Sequence, residues 1–66
     1  MDIQEAAKLL WDENKGIRRK RWPKGSHWVM SEDPLMYGDI IMVNGVIEIP
    51  CVVSIKDLIA DDWEEY

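Results

Sequence analysis

The sequence predicts a small α+β domain in which an N-terminal amphipathic helix packs on a small antiparallel sheet, with a short helical turn near the C-terminus. Three observations predict this class. They are a helical apolar stripe at the start, an Asn-Gly pair between two β-branched runs, and a helix-start pattern near the end. A chain of 66 residues buries only about 60% of the surface that its unfolded form exposes. We therefore expect a single domain, residues 1–66, with a small core.

The first segment has the pattern of an amphipathic helix. Asp2 and Glu5 have the spacing of a capping box, in which each side chain bonds to the backbone N–H of the other residue. Apolar residues then recur at the spacing of one helix face: Ile3, Ala6, Ala7, Leu10 and Trp11. We expect the helix at residues 3 to 14, with Gly16 in the left-handed conformation that often follows a helix.

The middle of the chain favours short strands separated by turns. Residues 17 to 22 predict a strand, and strict alternation along it would place Arg19 and Trp22 on opposite faces. A turn at 23 to 26 leads into a second strand at 27 to 30, which is rich in aromatic and β-branched side chains. The acidic, proline- and glycine-containing stretch that follows predicts a loop up to residue 39.

The strongest β signal is a hairpin. Residues 40 to 43 and 46 to 49 are apolar, β-branched runs, and Asn44-Gly45 lies between them. Asn-Gly is the preferred pair for a two-residue turn in which both positions have positive φ. Pro50 has no N–H to donate to the ladder, so it should end or interrupt the second strand. Residues 51 to 53 are expected to continue that strand beyond the proline.

A second helix-start signal follows the hairpin. Ser54 is a good N-cap residue, and Asp57 stands at the capping-box position three residues later. This pattern predicts a helical turn ending at about Ala60. Residues 62 to 66 are then expected to return as an edge strand.

The charge is strongly segregated along the chain. The net charge is -5, yet residues 15 to 24 contain six basic groups and no acid, whereas the remainder contains 2 basic and 13 acidic groups. An acidic chain is a poor ligand for long nucleic acid, which is bound through many phosphates. A confined basic patch suits a small phosphorylated molecule. The alternative is that these cations pair, within or between chains, with the C-terminal acids Asp61, Asp62, Glu64 and Glu65.

The sequence gives no positive signal for catalysis or for a cofactor. With one cysteine and one histidine, the chain can form neither an intrachain disulfide nor a zinc site of the usual kind. No catalytic residue, metal site or cofactor is expected, and a metal-dependent hydrolase built on the acids at 57 to 62 is the least favoured hypothesis. There is no apolar run long enough for a membrane span and no signal peptide, so we expect a cytoplasmic protein.

Binding has better support. Arg19 and Trp22 are three residues apart, and Trp28 lies on the next predicted strand, so guanidinium and indole groups are expected to line one pocket. Indoles stack on bases, and arginine binds phosphate through a bidentate fork. The alternative is that the tryptophans belong to the core or to an interface, which we favour for Trp11 and Trp63 but not for Trp22. Aromatic residues and methionine are enriched at interfaces, and four of each of Trp and Met favour a homo-oligomer.

The ordered pattern of motifs resembles a family of small phage proteins, the second type of Thoeris anti-defence protein. The resemblance covers nearly the whole chain. It consists of Glu5-Ala6 in the first helix, Gly16, Arg19-x-x-Trp22, the turn at Asn44-Gly45, and the closing pattern Ser54-x-x-Asp57-Leu58-x-Ala60-x-Asp62-Trp63-Glu64.

The resemblance implies that the protein binds and sequesters a cyclic ADP-ribose-like immune messenger, in the cytoplasm of the infected bacterium, without altering it. It further implies a homo-oligomer, a dimer or tetramer, with pockets between subunits. Carried over to this chain, it assigns phosphate and base contacts to Arg19 and Trp22, and a place beside the pocket to Ser54 and Asp57. Asp62 and Trp63 are interpreted as mainly structural.

Three departures from the family pattern affect the choice of ligand. The segment between Trp22 and the hairpin is short, Cys51 follows Pro50 where members often have tryptophan, and Arg21 replaces a common small residue. The ligand is therefore expected to be either a cyclic ADP-ribose isomer or a cyclic dinucleotide. The alternative function is that of a small regulator whose basic patch binds an acidic host protein.

Overall fold

Two helices and five strands make up the fold in the computed structural model, which describes residues 1–66. In chain order they are α1 (Ile3–Glu13), β1 (Ile17–Arg19), β2 (Ser26–Met30), β3 (Ile40–Asn44), β4 (Ile47–Pro50), α2 (Ile55–Ile59) and β5 (Trp63–Glu65). All strand pairs are antiparallel and form one sheet in the order β4-β3-β2-β1-β5. Helix α1 contacts β1, β2, β5 and α2. The predicted α+β arrangement is confirmed.

Helix α1 begins as predicted and ends differently. The Asp2 carboxylate accepts from the Glu5 N–H at 2.9 Å, and the Glu5 carboxylate accepts from the Asp2 N–H at 3.3 Å. The left-handed cap is Asn14, with φ 50°, so the prediction of Gly16 in that role was wrong. Asparagine tolerates this conformation because its side chain is short and polar. Gly16 instead lies at a close approach, since a Cβ there would be 3.3 Å from the Cβ of Tyr66.

The core is a single apolar cluster between α1 and one face of the sheet. Register places Trp28 opposite Ile17, and Trp63 opposite Arg19, so these side chains project from the same face. The buried apolar residues are Ala6, Leu10, Ile17, Trp28 and Trp63. Five such residues are a small core for a chain of this length, and the two indoles supply most of its volume.

Strand β1 is shorter than predicted, and this changes the position of Trp22. The strand ends at Arg19, and the Trp22 N–H donates to the Arg19 carbonyl at 3.1 Å, closing a turn. The Arg18 guanidinium donates to the Trp22 carbonyl at 2.6 Å and holds that turn. Trp22 therefore returns to the face that carries Arg19 and Trp28. The prediction of strict alternation to residue 22 was wrong because the chain turns before it.

The predicted hairpin is present, but its turn lies one residue later. Asn44 pairs with Ile47, so the two turn residues are Gly45 and Val46. Gly45 has φ 64° and Asn44 has no positive φ. Glycine with positive φ at the first central position alone is typical of a type II′ turn, whereas Asn-Gly at both positions is typical of type I′. Because both ends of the turn move by one residue, Val43 pairs with Glu48 and not with Val46. This two-residue change of register leaves the side chains of the second strand on the predicted faces.

The C-terminal elements follow the prediction closely. Ser54 is the N-cap of α2, its capping box with Asp57 is complete, and the helix ends at Ile59. Strand β4 ends at Pro50, as predicted. Residues 51 to 53 do not continue it, contrary to prediction, although the Cys51 N–H still donates to the Ile40 carbonyl at 3.2 Å. Strand β5 forms the predicted edge of the sheet.

Candidate functional site

Arg19 connects the sheet to the C-terminal segment. Its Nη1 donates to Asp57 Oδ1 at 3.1 Å, and its Nε donates to Asp62 Oδ1. The Arg19 and Asp57 side chains are each only 16% exposed. A guanidinium has five N–H groups, so three remain for other partners. The end of β1, the start of α2 and the residue before β5 thus meet at one side chain.

Asp57 accepts three further hydrogen bonds besides the one from Arg19. Its Oδ2 accepts from the Ser54 hydroxyl at 3.0 Å and from the Ser54 N–H at 3.4 Å. Its backbone carbonyl accepts from Trp63 Nε1 at 3.0 Å. The capping box therefore does more than start α2. It fixes the carboxylate that Arg19 contacts, and it anchors the buried Trp63 indole to the same helix.

Three indoles lie beside this cluster. The Trp22 ring centroid is 5.5 Å from that of Trp28 and 5.3 Å from that of Trp63, and the latter two are 4.7 Å apart. Trp28 and Trp63 are each 1% exposed, whereas Trp22 is half-buried. Of the three, Trp22 alone has indole surface open to a ligand, and Trp28 supports it from the core. Ligand contact by Trp28 stays a prediction.

The C-terminal acids neutralise part of the basic segment within the same chain. Lys15 pairs with Glu65 at 2.7 Å, and Arg18 with Glu64 at 3.8 Å. The hydrogen bond from Arg19 holds the pKa of Asp62 below its usual value, and the same bond raises the pKa of Arg19. The cations of the segment that make no ion pair are Lys20, Arg21 and Lys24.

An open cleft of about 350 Å³ adjoins Arg19. Its lining consists of Arg19, Lys20, Arg21, Ala60, Asp61 and Asp62. Ammonium and guanidinium groups there can bind an anion, while the carboxylates can accept hydrogen bonds from hydroxyl or amino groups. The arrangement suits a ligand with both kinds of group.

The structure brings together four of the five predicted site residues and adds others. Arg19, Trp22, Ser54 and Asp57 form one connected cluster, and Trp28 lies beneath it. The contact of Asp62 with Arg19 was predicted only as one of several possible pairings between the basic segment and the C-terminal acids. The predicted edge strand at the C-terminus was the signal that could have placed this acid beside β1.

The structure gives little support to a metal site, a reactive thiol or a membrane-spanning helix. Nowhere do three His, Cys, Asp or Glu side chains converge as a metal ion would require. Burial raises the pKa of the Cys51 thiol, which disfavours the reactive thiolate form. Neither helix is long and apolar enough to cross a membrane.

Comparison with known proteins gives one match. The chain matches a family model described as Tad2-like, a Thoeris anti-defense 2-like domain, over residues 1–66. No curated protein and no solved structure matches it significantly. Because the family match spans the whole chain, the resemblance seen in its motifs is confirmed. The chain belongs to the Tad2-like family, and its role is that of a phage protein directed against the Thoeris defence.

Proposed function

We propose that this protein binds a cyclic nucleotide immune messenger and holds it unaltered, so that the bacterial effector is not activated. The observation that carries the proposal is the cluster of Arg19, Trp22, Ser54 and Asp57. The pair Arg19 and Trp22 is far in the sequence from the pair Ser54 and Asp57, yet direct contacts join the four residues, and Arg19 lines an open cleft. Membership in an anti-defence family supports the biological role.

The groups of the cluster suit the parts of a nucleotide. The accessible face of Trp22 can stack on a base, and such stacking contributes about 1–3 kcal/mol per base. Asp57 and Ser54 can bond ribose hydroxyls, and the remaining N–H groups of Arg19 can donate to oxygen atoms. Sequestration acts by mass action in the cytoplasm of the infected cell and needs no catalytic group or cofactor.

We further propose that the protein acts as a homo-oligomer. Eight aliphatic side chains between residues 46 and 59 are exposed: Val46, Ile47, Ile49, Val52, Val53, Ile55, Leu58 and Ile59. We call them the aliphatic surface. They come from one segment of the chain, and large exposed apolar surfaces mark interaction sites in small proteins. Because Ser54 and Asp57 belong to the same segment, a second copy bound there would adjoin the ligand.

Thermal stability measured against a panel of cyclic ADP-ribose isomers and cyclic dinucleotides tests the proposal. A ligand at a hundred times its dissociation constant stabilises the folded state by about 2.7 kcal/mol, which for a chain this small raises Tm by roughly 10 °C or more. We expect one compound to give such a shift. Failure of every compound would overturn the proposal.

A small protein-binding regulator is the second candidate. The unpaired cations Lys20, Arg21 and Lys24 favour it, since exposed positive charge steers acidic partners. Under this alternative the whole nucleotide panel would leave Tm unchanged. Replacing those cations with Gln would then abolish binding to an acidic partner protein.

A further inference from the structure

We propose that Lys20 and Arg21 form the phosphate-binding part of the site, whereas Arg19 serves to hold Asp57 and Asp62 in place. This inference rests on the proposed function and assigns the two ends of the ligand to different residues. It departs from the expectation that Arg19 itself is the phosphate contact.

Arg19 is poorly suited to attract an anion. Both Asp57 and Asp62 bond to its guanidinium, so the three groups together carry a net charge of -1. The contact also holds the pKa of Asp62 below its usual value, so the Asp62 carboxylate is ionised at neutral pH. A phosphate approaching Arg19 would meet two negative charges within the same cluster.

Lys20 and Arg21 are in the opposite situation. Both are exposed, neither makes an ion pair, and both line the cleft beside Arg19. The cleft lining contains three cations and two carboxylates. Because Arg19 is occupied by its two carboxylate partners, Lys20 and Arg21 are the only positive charges of the lining that are available to a ligand, and they lie beside Asp61 and the net charge of -1 on the Arg19 group.

The backbone that carries these two cations is held in place. The Lys20 N–H donates to the Asp62 carbonyl at 3.2 Å, and the Lys20 carbonyl accepts from Arg18 Nη2 at 3.4 Å. The turn is therefore fixed to β1 and to the start of β5. Only the side chains of Lys20 and Arg21 need to become ordered when an anion binds, which limits the entropic cost of binding.

Inorganic pyrophosphate and adenosine serve as separate probes for the two ends of the site, with a cyclic ADP-ribose isomer as the complete ligand. Lys20→Gln and Arg21→Gln should each weaken pyrophosphate binding roughly twofold to fivefold, as expected for an exposed charge pair. The double variant should bind pyrophosphate roughly tenfold more weakly, whereas its affinity for adenosine should be unchanged. Asp61→Asn should strengthen pyrophosphate binding. Lys8→Gln removes an exposed, unpaired cation on α1 and is the matched control.

NMR titration at low salt provides the affinities, and an unchanged Tm for each free variant shows that it is folded. Unchanged pyrophosphate affinity in the double variant, equal losses with adenosine, or an equal loss in Lys8→Gln would each overturn the assignment. The two proposals can fail separately. Pyrophosphate binding that depends on Lys20 and Arg21 without any binding of a cyclic nucleotide supports the subsite and refutes sequestration. If the double variant binds the cyclic nucleotide as tightly as the wild type does, the phosphate subsite is refuted but sequestration is not.

Discussion

Arg19 links the fold to the site, because its two carboxylate partners come from α2 and from the residue before β5. The motif Arg19-x-x-Trp22 singled out this arginine as a candidate site residue. Pairing of the basic segment with the C-terminal acids was one alternative from the sequence, but the particular partners of Arg19 could not be predicted, because they depend on how α2 and the edge strand pack beside β1. The free cations at Lys20 and Arg21 become visible only when the pairs are known.

The Arg19–Asp62 pair predicts loss of stability in acid. Arg19 lowers the folded-state pKa of Asp62, whereas the unfolded value is about 3.9. The pair therefore stabilises the fold above about pH 4, and this contribution disappears as the pH falls through the lower, folded value. Denaturant midpoints between pH 7 and pH 2.5 should fall less steeply in Asp62→Asn than in the wild type. Parallel curves for the two proteins would contradict the assignment.

The tryptophan cluster predicts that replacing its members by Ala lowers the free energy of unfolding by unequal amounts. Trp28 is fully buried, and its Nε1 has no hydrogen-bond partner, so Trp28→Ala should cost about 3–5 kcal/mol. A domain of this size has roughly 3–10 kcal/mol of stability in all, and the variant should be largely unfolded. Trp22→Ala should remain folded, because that side chain is only half-buried. Urea unfolding measures both, and equal costs would count against Trp22 as a ligand-facing wall.

At the scale of elements, local signals such as capping boxes predicted the structure better than the alternation of side chains along a strand did. The capping boxes at Asp2 and Ser54 were confirmed because they involve only residues three apart. The face of Trp22 was mispredicted because a turn closed by Arg18 precedes it. The hairpin turn moved by one residue because its register depends on strand pairing as well as on the preference of Asn-Gly.

Helix α2 predicts that a single hydroxyl affects both stability and binding. Ser54→Ala removes the N-cap and should cost about 1 kcal/mol. It also removes the 3.0 Å bond from Ser54 to Asp57 Oδ2, so affinity for the ligand should fall as well. Ser54→Thr keeps a hydroxyl and is the control. Calorimetric titration alongside urea unfolding separates the effects, and unchanged affinity in Ser54→Ala would remove Ser54 from the site.

At the scale of the molecule, a core of five apolar residues contrasts with the eight exposed residues of the aliphatic surface. Composition alone predicted an excess of large apolar groups. It could not place them, because which strand forms the sheet edge is decided by topology. The acidic and basic groups that are separated in the sequence meet in the structure, because acids of the C-terminal strand lie beside the basic segment.

The aliphatic surface predicts self-association that surface charges can abolish. Ile55 and Ile59 are about three-quarters exposed, at 75% and 77%, so the double variant Ile55→Lys/Ile59→Lys should fold as well as the wild type. It should be monomeric in sedimentation equilibrium, whereas the wild type forms dimers or larger oligomers. Leu35→Lys changes a still more exposed residue, at 94%, in the 31–39 loop and should leave the oligomer intact. A monomeric wild type would contradict this prediction.

The most direct test of sequestration is recovery of the ligand. The protein is incubated with the cyclic nucleotide that raises its Tm, separated from free ligand, denatured, and analysed by chromatography with mass spectrometry. Sequestration predicts intact messenger in stoichiometric amount from the wild type, and little from Trp22→Ala. A cleaved product, or no retained nucleotide, would contradict the account.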